Sequence, residues 1–164
     1  MSEARLQLLQ SMPIFGGINS EVLALVLSLA EEITISKDAM FFREGDAADS
    51  LYVLERGRVA ILKDWDGQRY LLRYLKENDC FGEMAWIDLS PRSASVRALE
   101  DCVALRLPYS AFQEVLQRDL EQYAMMQMNM AREVSRRLRT ADHQLFEARV
   151  QAKVINGHMM FYST

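Results

Sequence analysis

The stretch FGEMAWIDLSPRSASVRA, Phe81 to Ala98, joins a glycine turn, a short apolar run and an alternating strand. Gly82-Glu83 leads into the run, Pro91 ends it, and Arg92-Ser93-Ala94 opens the strand. A turn into a short helix leaves first-turn backbone N–H groups without intrahelical partners, and such groups attract phosphate. Glu83 adds an acceptor suited to sugar hydroxyls, Arg92 a planar fork that fits two phosphate oxygens, and Ser93 a hydroxyl beside it. A carboxylate and a guanidinium with a helix terminus between them suit a ligand carrying both a ribose and a phosphate. Alone, a Glu in a loop or an Arg before a strand is an ordinary solvated charge; their joint placement carries the reading. Neither falls on the expected core.

A second stretch, FREGDAADSLYVLERGRV from Phe42 to Val59, puts Gly45-Asp46 at a turn, an apolar strand at Leu51 to Leu54, and Gly57 before the next strand. Gly45 and Gly57 read as tight backbone turns without ligand chemistry. In this order the two motifs resemble the signatures of the cyclic-nucleotide-binding domain family, Phe81 to Ala98 being similar to its phosphate-binding cassette. The resemblance covers roughly Ile14 to Leu145. It implies that Glu83 binds the ribose 2′-hydroxyl and Arg92 the cyclic phosphate, assisted by Ser93 and the backbone from Glu83 to Ala85. The expected ligand site is therefore Phe81, Gly82, Glu83, Met84, Ala85, Arg92, Ser93 and Ala94, with the base facing the long helix near Thr140 and Asp142. Ser93 stands where members selective for cyclic GMP often carry Thr, which favours cyclic AMP; Asp142 as an acceptor leaves both bases open. Trp86 replaces the usual Leu, and core packing is favoured over a polar or ligand contact for its indole. Phe41-Phe42 stand where smaller aliphatics are usual, a matter of local packing.

The segments around these motifs predict a mainly β fold with flanking helices, a double-stranded β-helix or jelly-roll-like β-roll, as one domain. Residues 1–32 hold N-terminal helices, the first with Leu6, Leu9 and Met12 as its apolar stripe and stopped by Pro13, the second capped by Asn19 or Ser20 and running to about Glu31. Residues 33–108 form the roll from short strands at Glu31–Ser36, Ala39–Glu44, Ser50–Arg56, Arg58–Asp64, Arg69–Lys76, Ser93–Glu100 and Cys102–Pro108. Asp66-Gly67 between two of them is a strong hairpin signal. Residues 109–164 hold a short helix, Tyr109 to Leu116, and a long one, about Arg118 to Ile155. Ala131, Val134, Leu138, Ala141, Leu145, Ala148, Ala152 and Ile155 alternate at spacings of three and four, a heptad seam. The seam predicts a homodimer, and the resemblance implies that this helix forms the dimer axis and caps the base. Met125, Met126, Met128 and Met130 read as adaptable core filling. Arg132 to Arg139 reads as a solvated basic face paired with Glu133, Glu147 or acids on the roll.

Composition narrows the function. The chain has 164 residues, 50% of them apolar, enough for one substantial core. A net charge of −4 argues against a nucleic-acid surface. The two cysteines, Cys80 and Cys102, lie far apart outside any CxxC, suggesting neither a disulfide framework nor a metal site and fitting a reducing cytosol. Charges interleave the N-terminal residues as in no signal peptide, and the longest apolar run, Val22 to Leu27, is far short of the roughly 20 residues that span a bilayer. The expected location is cytoplasmic. Transcription factors of the family carry a helix-turn-helix domain after the long helix, whereas NGHMMFYST follows Ile155. The expectation is a sensor without DNA-binding domain, enzymatic segment, cofactor or metal, acting through a protein effector. A metal-dependent barrel enzyme lacks ligands, because His143 and His158 both lie outside the expected strands. A ligand-free dimerisation module that keeps the fold is the alternative, separated by titration with cyclic AMP and cyclic GMP.

Overall fold

The computed structural model describes residues 3–156, with side chains to residue 152. Its centre is a roll of two four-stranded antiparallel sheets. In chain order the strands are β1 (Glu31–Ile35), β2 (Met40–Phe42), β3 (Ser50–Arg56), β4 (Val59–Trp65), β5 (Gln68–Leu75), β6 (Cys80–Phe81), β7 (Ser95–Ala98) and β8 (Cys102–Pro108). One sheet runs β1-β8-β3-β6 and the other β2-β7-β4-β5. The helices are α1 (Glu3–Ser11), α2 (Ser20–Ser28), α3 (Met84–Asp88), α4 (Tyr109–Arg118) and α5 (Leu120–Asn156), with a 3-10 turn at Pro13–Phe15.

β3 shows why the sequence folds this way. Its run SLYVL is buried on both faces, which an edge strand exposed to water would not tolerate. Tyr52 and Leu54 point into the roll, where they meet Val59, Ile61, Phe81, Val96 and Ala104. Leu51 and Val53 point outward into a second core built with Leu9, Ile14, Phe15, Leu23, Val26, Phe112, Met126 and Met130. The strand thus holds the helical layer to the roll from a single alternating segment.

Local chemistry settles the boundaries. The Asn19 side chain accepts from Val22 N–H at 2.8 Å, so Asn19 is the cap of α2. That helix stops at Ser28, short of Glu31, because Glu31 already pairs with Arg106 as the first residue of β1. Asp66 and Gly67 both have positive φ, 49° and 73°, as a two-residue hairpin of right-handed twist requires. The short helix runs on to Arg118, and extended Asp119 then starts α5 by accepting from Gln122 N–H at 3.0 Å. β6 is only two residues long, too short to register in a period-2 pattern.

The first part of α5 is docked. Met126 and Met130 fill the helical core, and Asn129 donates to the Gly16 carbonyl at 2.8 Å. Met128, by contrast, is exposed, so the methionine cluster is divided between core and surface. Beyond Arg137 the helix leaves its own domain: Leu138 is 59% and Leu145 52% exposed, and Phe146 and Val150 are exposed as well. The seam therefore does not cover the roll. The Ile155 side chain, His158 and the tail after Asn156 lie outside the described residues.

Candidate ligand-binding site

The two sequence motifs meet through the backbone. Gly45 N–H donates to Arg92 O at 2.8 Å and Arg92 N–H to Asp46 O at 2.9 Å, so the Gly45-Asp46 turn is zipped to the start of the cassette strand. The turn thereby fixes where the Arg92 side chain starts. Gly82 has φ 86°, and a Cβ there would lie 2.6 Å from Arg92 Nη1. A side chain at 82 would displace the guanidinium, so glycine is required by close approach as well as by conformation. After it, α3 makes one short turn, with Trp86 and Ile87 N–H groups donating to Glu83 O.

Arg92 is 4% exposed. Its Nη1 donates to Gly82 O at 3.1 Å and its Nη2 to Ser50 O at 2.7 Å, and the guanidinium lies 4.0 Å over the Phe42 ring. Those partners are neutral or quadrupolar, and the buried Nε has no partner among the described residues. Its positive charge is therefore held without a paired carboxylate, a costly arrangement that an anion would relieve.

Glu83 is 1% exposed, and its carboxylate accepts from Arg137 of α5. Arg137 also donates to Cys80 O at 3.0 Å and to Glu133 at 3.1 Å. Burial would lower the Arg137 pKa, but Glu83 and the other negative groups around it outweigh burial and raise it. Burial, with the Glu83 charge beside it, pushes the Cys80 thiol up to about 12. Tyr109, at the start of α4, donates to Gly82 O at 3.1 Å, and burial pushes its hydroxyl up to about 12.

Glu83, Arg92 and Arg137 line an open cavity between the cassette, β4, β5 and α5. All eight cassette residues expected from the sequence line it: Phe81, Gly82, Glu83, Met84, Ala85, Arg92, Ser93 and Ala94. Phe42, Ile61 and Val96 supply an apolar wall, and Arg73 and Arg137 two further cations. Thr140 and Asp142 are not among its walls. Both are exposed, and the Thr140 hydroxyl turns back to Arg136 O at 3.2 Å. They sit three and five residues beyond Arg137, where the helix has already passed the roll, so in this structure the helix residue at the cavity is Arg137. Arg137 was readable in principle: Met126, Met130, Glu133 and Arg137 fall at three- and four-residue steps on one face. The basic character of REVSRRLR hides that register.

Trp86 packs outside the cavity, 4.8 Å from the Tyr109 ring and 5.5 Å from Phe112, in the core role favoured for it. Phe41 and Phe42 contribute to an aromatic cluster with Tyr52 and Phe81. Arg136 and Arg137 pair with Glu133, and His143 lies on the exposed helix 3.2 Å from Glu147. Among the described residues no group of His, Cys, Asp and Glu could hold a metal ion. None of the described helices is long and apolar enough to cross a membrane.

The fold is thus a β-roll whose glycine turn sets a buried acid and a buried arginine around one cavity. The chain belongs to the cyclic nucleotide-binding domain family, whose sequence model matches residues 32–119. It is 32% identical over 134 residues to the cyclic AMP receptor protein of Thermus thermophilus, covering 81% of this chain and 60% of that one. It is 33% identical over 103 residues to a cAMP-dependent protein kinase regulatory subunit of Eremothecium gossypii, covering 63% of this chain and 22% of the subunit. The chain thus spans at most 60% of the length of these curated relatives. Among solved structures, the Thermus thermophilus catabolite activator protein superposes with a TM-score of 0.71 at 30% identity, over 84% of this chain and 63% of that one. A cyclic nucleotide-binding domain from Methylobacillus flagellatus shares the fold with a TM-score of 0.74 at 19% identity, over 96% of this chain and 84% of that one.

Proposed function

We propose that this chain is a regulatory module that binds a purine 3′,5′-cyclic nucleotide in its roll and signals through α5 to a protein effector, as a homodimer. The observation that carries the reading is the uncompensated guanidinium of Arg92, facing the same cavity as the Glu83 carboxylate. A cyclic phosphate supplies the missing negative charge, and a ribose hydroxyl donates to Glu83. No reaction is assigned to the site, and no cofactor or metal beyond the nucleotide itself.

The Arg137–Glu83 pair links occupancy to output. A ribose hydroxyl that donates to Glu83 alters the partner of Arg137, so the ligand interacts differently with docked and released forms of α5. Such a difference is what lets a ligand shift a conformational equilibrium. Supporting a dimer, the exposed Leu138 and Leu145 offer apolar surface along one helix stripe. Titration calorimetry of the purified chain with cyclic AMP and cyclic GMP tests the reading. Heat of binding to at least one is expected, and no binding to either leaves the ligand-free dimerisation module as the function.

A further inference from the structure

Met84 sets a thioether beside Ser93. It is the first residue of α3, 38% exposed, and the one methionine among the described residues lining the cavity. Its Sδ accepts from the Ser93 hydroxyl at 3.7 Å, and Ser93 is itself pinned by Lys63, whose Nζ donates to the Ser93 carbonyl at 2.9 Å. Met12, Met126 and Met130 are buried in the helical core, and Met128 is exposed on α5 without lining the cavity. Cys80 and Cys102 are both buried. Met84 therefore combines exposure of an oxidisable sulfur with contact to a residue of the expected phosphate site.

The next step rests on the cyclic-nucleotide reading, in which Ser93 helps Arg92 hold the phosphate. A serine hydroxyl has a single proton to donate, so Ser93 gives it to Met84 or to a phosphate oxygen, not to both. A thioether is a weak acceptor and yields that proton to an ionised phosphate. A sulfoxide does not. Its oxygen carries a partial negative charge and turns a soft apolar side chain into a polar one. It keeps the Ser93 proton and sets its own negative end beside the place of the phosphate. We propose that Met84 is an oxidation site, converted to its sulfoxide by a hydroperoxide, through which the cavity loses affinity for a cyclic nucleotide. With hydrogen peroxide, a lone pair of Sδ attacks one peroxide oxygen, the O–O bond breaks and an S–O bond forms. The proton on the transferred oxygen passes to the leaving oxygen, so sulfur is oxidised by two electrons and the peroxide is reduced to water. Methionine sulfoxide reductases reverse the change, which makes it a switch.

Treatment of the full chain with hydrogen peroxide, followed by peptide mass spectrometry and titration calorimetry with cyclic AMP and cyclic GMP, tests this. Addition of one oxygen to the peptide carrying Met84 is expected to weaken nucleotide binding roughly tenfold or more, the worth of a hydrogen bond to a charged group. Reduction by methionine sulfoxide reductases of both epimer specificities should restore it. Met84→Leu should give the same affinity before and after peroxide, whatever its starting value, whereas Met128→Leu should respond as the wild type does. An oxidised Met84 with unchanged affinity, a Met84 left intact while Met128 is oxidised, a loss that persists in Met84→Leu, or a loss that comes with unfolding in circular dichroism overturns the switch while leaving nucleotide binding in place. Untreated wild type that binds neither nucleotide overturns the cyclic-nucleotide reading and the switch with it. If Met84→Leu is not folded, the wild-type titrations before peroxide, after it and after reduction decide by themselves.

Discussion

Arg137 donates to Glu83 across 54 residues of sequence, and the Glu83 side chain is almost fully closed off from water by that contact. Removing one member of a buried ion pair costs about 3–5 kcal/mol, because the other charge is left in a poor solvent. Arg137→Met should therefore lower unfolding stability by an amount near that range, moderated by the remaining exposure of the pair. Glu83→Gln combined with Arg137→Met should recover most of the loss. Urea denaturation of the two single variants and the double variant measures this; a double variant no more stable than Arg137→Met would show that the pair is not the source.

Arg92 should matter more to affinity than Glu83. It neutralises a phosphate, whereas Glu83 accepts from a neutral hydroxyl. Loss of a buried charge partner at about 3–5 kcal/mol and of a charged hydrogen bond at about 1.5–3 kcal/mol sets the scale. At about 1.4 kcal/mol per tenfold, Arg92→Ala should weaken nucleotide binding a few hundredfold or more and Glu83→Gln ten- to a hundredfold. Calorimetry on wild type and both variants compares them, and equal affinities would place the nucleotide elsewhere.

The exposed seam of α5 should bring two copies together. Light scattering is expected to give a dimer mass for the wild type and a monomer mass for Leu138→Glu with Leu145→Glu, which sets like charges along the apolar stripe. A monomeric wild type refutes the dimer.

Nucleotide binding should alter amide exchange along α5 from Glu133 to Leu145, centred on Arg137. Slower exchange is expected if the ligand tightens the helix against the cassette. Unchanged protection at saturating nucleotide would mean that the signal leaves by a different element.

Alkaline pH should destabilise the protein through Cys80. Its thiol is raised from 9.0 to about 12 by burial and by Glu83, so the unfolded chain loses this proton first. The contribution is fully present below pH 9 and is lost as pH rises toward 12, at up to about 1.4 kcal/mol per unit. Tyr109, raised from 10.0 to about 12, adds to the slope above pH 10. Urea midpoints between pH 8 and 10.5 should fall less steeply in Cys80→Ala. A parallel slope in that variant would rule Cys80 out as the cause.

The roll, and the gathering of the eight cassette residues around one cavity, are legible because period-2 strands and glycine turns are local signals. Burial of Glu83 and Arg92 is not. Each looks like a surface charge in its own segment, and only the approach of α5 over one and of Phe42 and Ser50 around the other encloses them. The same limit hides Arg137 as a helix residue at the cavity. A helix pattern gives the face of a residue, but where the roll ends beneath that helix depends on how far the docked Met126, Asn129 and Met130 draw it in. The Asp119 cap is illegible for a different reason. Nothing between Leu116 and Leu120 breaks the helical pattern, so the boundary between the two expected helices falls two residues early, at Gln117 instead of Asp119.

The 37-residue length of α5 also has a mechanical meaning. At 1.5 Å per residue, the segment from Arg137 to Asn156 is an arm of roughly 28 Å. With Arg137 as fulcrum, a tilt of about 10° carries its far end roughly 5 Å, the height of one helical turn. A change of partner at a single carboxylate that tilted the helix by this much would thus be geared up to a displacement large enough to shift one helix past another by a full turn of side chains.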